Sequence, residues 1–91
     1  MLVSVAEAKM YLRLDDNVED ALIRTLLETS ESLCRDIVRA DLEELDEEEE
    51  LIKTAVCYGV SYLYENREKA DFKDLTTTLR FLLFGVRREE F

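Results

Sequence analysis

The fold is decided by the stretch LIRTLLETSESLCRDIV, which spans residues 22–38. Its apolar and small side chains recur at steps of three and four residues, so they share one face of an α-helix. That face carries Leu22, Ile23, Leu26, Leu27, Ser30, Leu33, Cys34, Ile37 and Val38. The opposite face, expected in solvent, carries Arg24, Glu28, Glu31 and Arg35. Asp16 precedes the stretch as a capping residue, so we predict a helix from this cap to about Arg39.

A second long helix is predicted from about Asp46 to Asn66. Its inward stripe consists of Leu51, Ile52, Ala55, Val56, Gly59, Tyr62 and Leu63. A glycine inside a helix costs about 1 kcal/mol relative to alanine, so it usually has a packing reason. Gly59 therefore indicates close approach between this helix and a neighbouring helix.

Two short helices are predicted towards the ends of the chain. Ser4 and Glu7 form a capping box, which starts a helix that runs to about Tyr11. The side chains expected to pack inward from this helix are Val5, Ala8, Met10 and Leu12. Asp74 is predicted to cap the other short helix, after a loop from Glu68 to Lys73, and Gly85 is predicted to end it.

These segments predict an all-α fold, with two long antiparallel helices and two short helices packed on them. The 91-residue chain contains no proline and fits a single helical domain over residues 1–91, with residues 85–91 as a tail that can leave the bundle. Its aromatic side chains exceed what so small a core can enclose, which indicates a protein interface. This surplus consists of Tyr11, Tyr58, Tyr64, Phe72, Phe81 and Phe84.

The sequence offers little for catalysis or metal binding. It contains no histidine, and its two cysteines, Cys34 and Cys57, lie far apart without metal-binding spacing. We therefore expect two reduced, partly buried thiols, no cofactor, no metal and no enzymatic activity. No apolar run approaches the length of a membrane span, so we expect a soluble, non-secreted protein without membrane contact.

The net charge of −10 is concentrated in residues 41–50, which contain eight acids and no base. This acidic patch consists of Asp41, Glu43, Glu44, Asp46, Glu47, Glu48, Glu49 and Glu50. One interpretation is an exposed linker that leads into a helix N-terminus, where negative charge is stabilising. The other is an electronegative patch that repels DNA phosphate or meets a basic partner. Direct DNA binding is not expected, because DNA-binding proteins present a basic face to the phosphates.

Two groups of residues are candidates for protein contacts. In the first group, Tyr64 packs on the bundle while Arg67 serves the helix C-terminus, or else Glu65 and Arg67 form ion pairs between subunits. Both interpretations stay open on the sequence alone. The second group places the basic cluster of the chain next to aromatic side chains, a composition typical of binding interfaces. Its members are Arg80, Phe81, Phe84, Val86, Arg87, Arg88 and Phe91.

Three short strings follow one another in order: SVAEAK at residues 4–9, LYENR at residues 63–67 and FGV at residues 84–86. This ordered set resembles the small head–tail connector proteins of long-tailed double-stranded-DNA phages and prophages, also called DNA-packaging or head-completion proteins. The resemblance covers nearly the whole chain. It implies a non-enzymatic protein of the virion, at the head–tail junction, that is assembled in the host cytoplasm. It also implies a ring on the portal vertex, usually twelvefold, that extends the DNA channel.

The partners implied by the resemblance are further copies of the chain, the portal protein and the next head–tail joining protein. DNA would pass through the ring without specific binding, because an electronegative wall offers no counter-charge to phosphate. The chain departs from the family's expected pattern after Phe84, where it has no proline and continues with the charged residues 87–90. The docking mode of the C-terminus therefore stays open.

Two other functions are compatible with the composition. One is a small acidic helical inhibitor, or DNA mimic, that binds a basic partner. The other is a helical adaptor unrelated to phages. Charges of both signs on the two predicted long helices count against a DNA mimic, which would spread its acids along a surface.

Overall fold

The computed structural model describes residues 2–38 and 49–84, and within them it contains four α-helices and no strand. The helices are α1 (Val5–Leu12), α2 (Asp20–Val38), α3 (Glu49–Glu65) and α4 (Phe72–Leu82). The predicted all-helical class is therefore confirmed for this part of the chain. The predicted start of the second long helix at Asp46, and the end of the fourth at Gly85, lie outside the described residues.

One hydrophobic core is shared by all four helices. The most extensive contact joins α2 and α3, and α1 and α4 each pack against both of these helices. Ala8, Ile23, Ile52, Leu75 and Leu79 are each at most 1 % exposed. The three- and four-residue spacing that formed the apolar stripes in the sequence thus directs one face of each helix into a common interior. The inward orientation predicted for Leu51 is wrong, because this residue in the first turn of α3 is 39 % exposed.

The middles of α2 and α3 meet at Ser30 and Gly59. Ser30 is fully buried, and its hydroxyl donates a hydrogen bond of 2.8 Å to the backbone carbonyl of Val56. A Cβ atom added at Gly59 would overlap the Ser30 Oγ atom and would lie 3.0 Å from the Ser30 Cβ atom. The predicted close approach at Gly59 is confirmed, and its partner is the small polar residue of α2.

The start of the chain is fixed by the predicted capping box. The Ser4 hydroxyl accepts a hydrogen bond of 3.0 Å from the Glu7 backbone N–H, and the Glu7 carboxylate accepts one of 3.1 Å from the Ser4 N–H. Helix α1 ends where Arg13 adopts a left-handed conformation with φ of 61°. The inward orientation predicted for Met10 is wrong, because this side chain is 79 % exposed.

Glu31 is also placed differently from the prediction. The sequence assigns it to the solvent-exposed face of α2, but the residue is only 4 % exposed. Its Oε2 atom accepts a hydrogen bond of 3.3 Å from the backbone N–H of Val3, and its Oε1 atom lies 3.8 Å from Nη1 of Arg35. The segment before α1 packs over this part of α2 and covers a carboxylate that the helix alone would leave in water.

The caps of α2 and α4 differ from the predicted ones. The Asp16 carboxylate accepts from the Val18 N–H at 3.2 Å, which makes a local turn, and α2 begins only at Asp20. Helix α4 is capped by Asp71, whose carboxylate accepts from the Asp74 N–H at 3.0 Å. Asp74 therefore lies in the first turn of α4, where its negative charge is favourable, but it is not the capping residue. The loop predicted from Glu68 to Lys73 is therefore shorter, because α4 already begins at Phe72.

Candidate functional site

Chemistry at the cysteines is suppressed by burial. Cys34 and Cys57 are both buried free thiols. Burial, with a smaller contribution from the charge of Glu31, raises the pKa of the Cys34 thiol to about 12. Burial also raises the pKa of Cys57. Because the thiolate is the nucleophile, neither residue is activated for catalysis at neutral pH. Across residues 2–38 and 49–84, no group of three or more side chains could hold a metal ion.

The residues Tyr64 and Arg67 form a cluster with Glu19, which precedes α2. The Tyr64 hydroxyl donates to Oε1 of Glu19, and Nη1 of Arg67 lies 2.8 Å from Oε2 of the same carboxylate. The Arg67 guanidinium also stacks over the Tyr64 ring, at 4.6 Å from its centroid. The cluster joins the end of α3 to the start of α2.

Electrostatics in this cluster favour the charged carboxylate. The hydrogen bond from Tyr64, followed by the hydrogen bond and charge of Arg67, lowers the pKa of Glu19. The same bond to Glu19 raises the pKa of the Tyr64 hydroxyl, because ionised tyrosine would lose it and face a negative charge. The side chains of Glu19, Tyr64 and Arg67 thus hold one another in one arrangement.

Sequence reasoning singled out Arg67 but missed its partner Glu19. Arg67 has an ion-pair partner within its own chain, while 49 % of its side chain remains exposed. Glu65, which directly follows Tyr64 in the sequence, is exposed. A contact of Tyr64, Glu65 and Arg67 with a neighbouring subunit stays a prediction, and such a contact would have to use the exposed edge of Arg67.

The end of α4 presents an apolar surface to solvent. Phe81 and Phe84 are 83 % and 81 % exposed, whereas their neighbours in the sequence, Leu79 and Leu83, are fully buried. The two phenylalanines line a hollow of about 340 Å³. Arg80 beside them is exposed. The remaining predicted docking residues, Val86, Arg87, Arg88 and Phe91, lie outside the described residues.

A groove of about 400 Å³ between α1 and α3 is a feature that sequence reasoning missed. Met10 and Tyr11 form one wall, and Lys53, Thr54 and Cys57 form the other. Its acidic members are Glu7 and Glu50. The outward orientation of Met10, which the helical pattern did not predict, is what creates the apolar wall.

Lys53 links the two helices that form this groove. Its Nζ atom lies 3.3 Å from Oε2 of Glu7 on α1 and 3.4 Å from Oε1 of Glu49 on α3. Hydrogen bonds from the Ser4 backbone and then from Lys53 lower the pKa of Glu7. The Glu7 bond and charge raise the pKa of Lys53. Lys53 therefore bridges α1 and α3 across the groove.

Only the last two members of the acidic patch can be placed. Glu49 and Glu50 begin α3 and are exposed, in the position where a helix N-terminus favours negative charge. The other six acidic residues lie outside the described part of the chain. Neither of the two interpretations of the patch is therefore decided. No described helix combines the length and apolar character needed to cross a membrane.

Residues 3–88 match the family model described as phage gp6-like head-tail connector protein. No curated protein and no solved structure matches the chain significantly.

Proposed function

The chain belongs to the phage gp6-like head-tail connector family, and from that premise we propose that it forms a ring on the portal vertex of a phage head. The membership makes it a structural component of a phage particle, at the junction between head and tail. The observation that carries the proposal is the family match, which extends over residues 3–88. In the finer proposal, the ring continues the portal's DNA channel and presents a surface to the next joining protein.

Self-association is supported by the apolar surface of the chain. Tyr11, Phe72, Phe81 and Phe84 are between 49 % and 83 % exposed, which is unusual for aromatic side chains of a monomer. A chain of 91 residues also buries a modest fraction of its surface when it folds alone. Association would cover these aromatic groups and increase the buried area.

Hydrogen bonds that join the α2 and α3 regions support a rigid subunit. Glu19, before α2, bonds to Tyr64 near the end of α3, and Ser30 bonds to Val56 near the middle of each helix. These pairs fit the predicted antiparallel arrangement of the two long helices. We propose that this pair is the rigid body of each subunit and that α1 and α4 form its lateral surfaces.

The charge of the chain suits a passage for DNA. With a net charge of −10, the surface offers little positive charge for phosphate, so DNA would slide past without specific binding. The segment from Arg80 to Phe91 is proposed to make the principal protein contact, and Tyr64, Glu65 and Arg67 are proposed to assist between subunits. No observation favours an inhibitor or DNA mimic over a connector.

The experiment that tests this function uses DNA-filled heads that carry the portal but lack this protein. Purified chain is added, and its binding is measured by co-sedimentation and by electron microscopy of the vertex. We expect saturable binding at one vertex per head and restored joining of tails. Heads without portal are the matched control, and equal binding to both kinds of head would contradict the proposal.

A further inference from the structure

Two exposed apolar surfaces of different shape lie on different helices of the chain. The first, which we call the Phe knob, consists of Phe81 and Phe84 at the end of α4. The second, which we call the α1–α3 groove, has Met10 and Tyr11 on one side and Lys53, Thr54 and Cys57 on the other. Strongly exposed aromatic side chains can insert into an apolar groove, so the two surfaces can pair with each other.

The Phe knob cannot reach the core of its own chain. Helix α4 packs on α2 and α3 through Leu75, Leu79 and Leu83, which are all fully buried. Phe81 lies between Leu79 and Leu83, and Phe84 directly follows Leu83; both phenylalanine side chains are more than 80 % exposed, so they face away from the bundle. Within residues 2–38 and 49–84, no hydrogen bond or ion pair joins α1 to α4. The knob and the groove are thus separate surfaces.

Among the described residues, the charges beside the two surfaces are of opposite sign. Glu7, Glu49 and Glu50 stand at the groove with Lys53 as their counter-charge, so three carboxylates face one ammonium. Beside the Phe knob the exposed charged residue is Arg80, and it makes no ion pair with any described residue. An apolar insertion flanked by opposite charges is the arrangement that gives an interface both affinity and orientation.

We propose that the Phe knob of one subunit inserts into the α1–α3 groove of a second copy of this chain. This inference rests on the proposed ring and names the two surfaces that join its subunits. Because the knob and the groove are different surfaces, the contact is heterologous, and each subunit keeps one free knob or one free groove for the next. Repetition of such a contact closes a ring when the rotation between subunits fits, which an isologous contact cannot do.

Cysteine cross-linking tests this contact directly, since Cys57 lines the groove. Phe81→Cys and Phe84→Cys variants are oxidised with copper phenanthroline, both on portal-bearing heads and as free protein at high concentration. We expect a ladder of disulfide-linked chains that extends beyond dimers on a non-reducing gel. The same variants with Cys57→Ser should give no ladder, because Cys34 is 0 % exposed and lines neither surface, whereas Cys57 is 8 % exposed and lines the groove.

Phe72→Cys is the matched control. Phe72 is an exposed aromatic residue at the other end of α4, and its variant should not cross-link to Cys57. No ladder from either knob variant, or a product that stops at dimers, overturns the inference. If the chain binds heads but no ladder forms, the connector function stands and the interface lies elsewhere. If the ladder forms in free protein but heads do not bind, the interface stands and the proposed function fails.

Complementation gives a second test that is independent of disulfide chemistry. Phe81→Asp/Phe84→Asp removes the knob, and Met10→Asp/Tyr11→Asp removes the apolar wall of the groove. Each variant should self-associate at least about 30-fold more weakly than the natural chain, the loss expected for an interface hot spot. An equimolar mixture should form dimers and no larger species, because one functional knob and one functional groove remain. Dimers of either variant alone, at the concentrations where the mixture forms them, would overturn the inference.

Discussion

A single missing Cβ atom sets how closely the two long helices approach. Gly59→Ala places a methyl group against Ser30, which is fully buried and bonded to Val56. Overpacking of this kind costs roughly 1–3 kcal/mol, so we expect a lower free energy of unfolding in urea. In a Ser30→Gly background the clash is absent, and the same Gly59→Ala change should stabilise the protein by about 1 kcal/mol through helix propensity. Stabilisation by Gly59→Ala in the natural background would contradict this packing.

Glu31 is a buried acceptor for the segment that precedes α1. Glu31→Ala would leave the Val3 N–H buried without its partner, at a cost of about 1–3 kcal/mol. Glu31→Gln keeps an oxygen acceptor at the same position and serves as the matched control. Hydrogen exchange should show loss of protection at the Val3 amide in Glu31→Ala and its retention in Glu31→Gln. Equal protection of the Val3 amide in both variants would show that apolar packing alone holds this segment in place.

The sequence predicts Gly59 but not Glu31 for a clear physical reason. A glycine in an apolar helical stripe has few explanations other than close packing. A carboxylate next to a stripe is usually exposed, and only the path of the chain before α1 decides whether it is covered. That path depends on tertiary packing, because Val3 is drawn into the core and carries its N–H group to Glu31.

At the scale of elements, the helix starts depend on which of two nearby carboxylates acts as the cap. Asp71 caps α4, and Asp74 lies in its first turn. We expect Asp71→Ala to lower the free energy of unfolding by about 1 kcal/mol, the usual effect of losing a capping side chain. Asp74→Ala should cost less, since it removes only a favourable charge near the helix terminus. Equal losses from the two substitutions would contradict the assignment of Asp71.

The contact between α1 and α3 should weaken in acid. The pKa of Glu7 lies below its ordinary value of 4.5, because its carboxylate accepts from the Ser4 N–H and pairs with Lys53. A lowered pKa in the folded state contributes stability above the ordinary pKa, and this stability is lost as the pH falls through the lowered value. Natural protein should therefore be more stable than Glu7→Gln at pH 7, and the difference should shrink at an acidic pH below the lowered pKa.

Urea unfolding of the natural chain and of Glu7→Gln at both pH values measures this effect. Glu50→Gln is the matched control, since Glu50 lines the same groove but has no ion pair within the described residues. A difference between natural protein and Glu7→Gln that is the same at both pH values would show that the Lys53 pair contributes nothing.

Helix existence and type follow from the sequence, whereas some ends do not. The apolar spacing and the Ser4–Glu7 box identify α1 and α2. The exact start of α2 depends on whether Asp16 caps a helix or closes a turn, and its bond to the Val18 N–H shows the turn. Local hydrogen bonds of similar strength compete at such positions, so residue type alone cannot choose between them.

At the scale of the whole molecule, the sequence predicts the part of the candidate site whose residues are close together in the chain. It misses the contacts that folding makes between distant segments. Tyr64 and Arg67 lie one helical turn apart, so the sequence shows them as a group. Glu19 joins them across the bundle, a contact that requires knowing how α2 and α3 are paired. The α1–α3 groove was missed for the same reason, because its walls come from residues more than forty positions apart.

Arg67 provides the final prediction, which separates its role in the fold from its role in assembly. Arg67→Ala and Glu19→Gln both break the same ion pair within the chain. Since that pair is solvent-exposed, we expect each substitution to lower the melting temperature only slightly and by a similar amount. If the exposed edge of Arg67 also contacts a neighbouring subunit, Arg67→Ala should weaken assembly per folded chain clearly more than Glu19→Gln does, because a desolvated pair between subunits is worth more than an exposed one. Circular dichroism measures folding, and light scattering across a range of protein concentrations measures assembly. Identical assembly of the two variants would show that Arg67 acts only within the cluster with Glu19 and Tyr64, and that other surfaces make the contact between subunits.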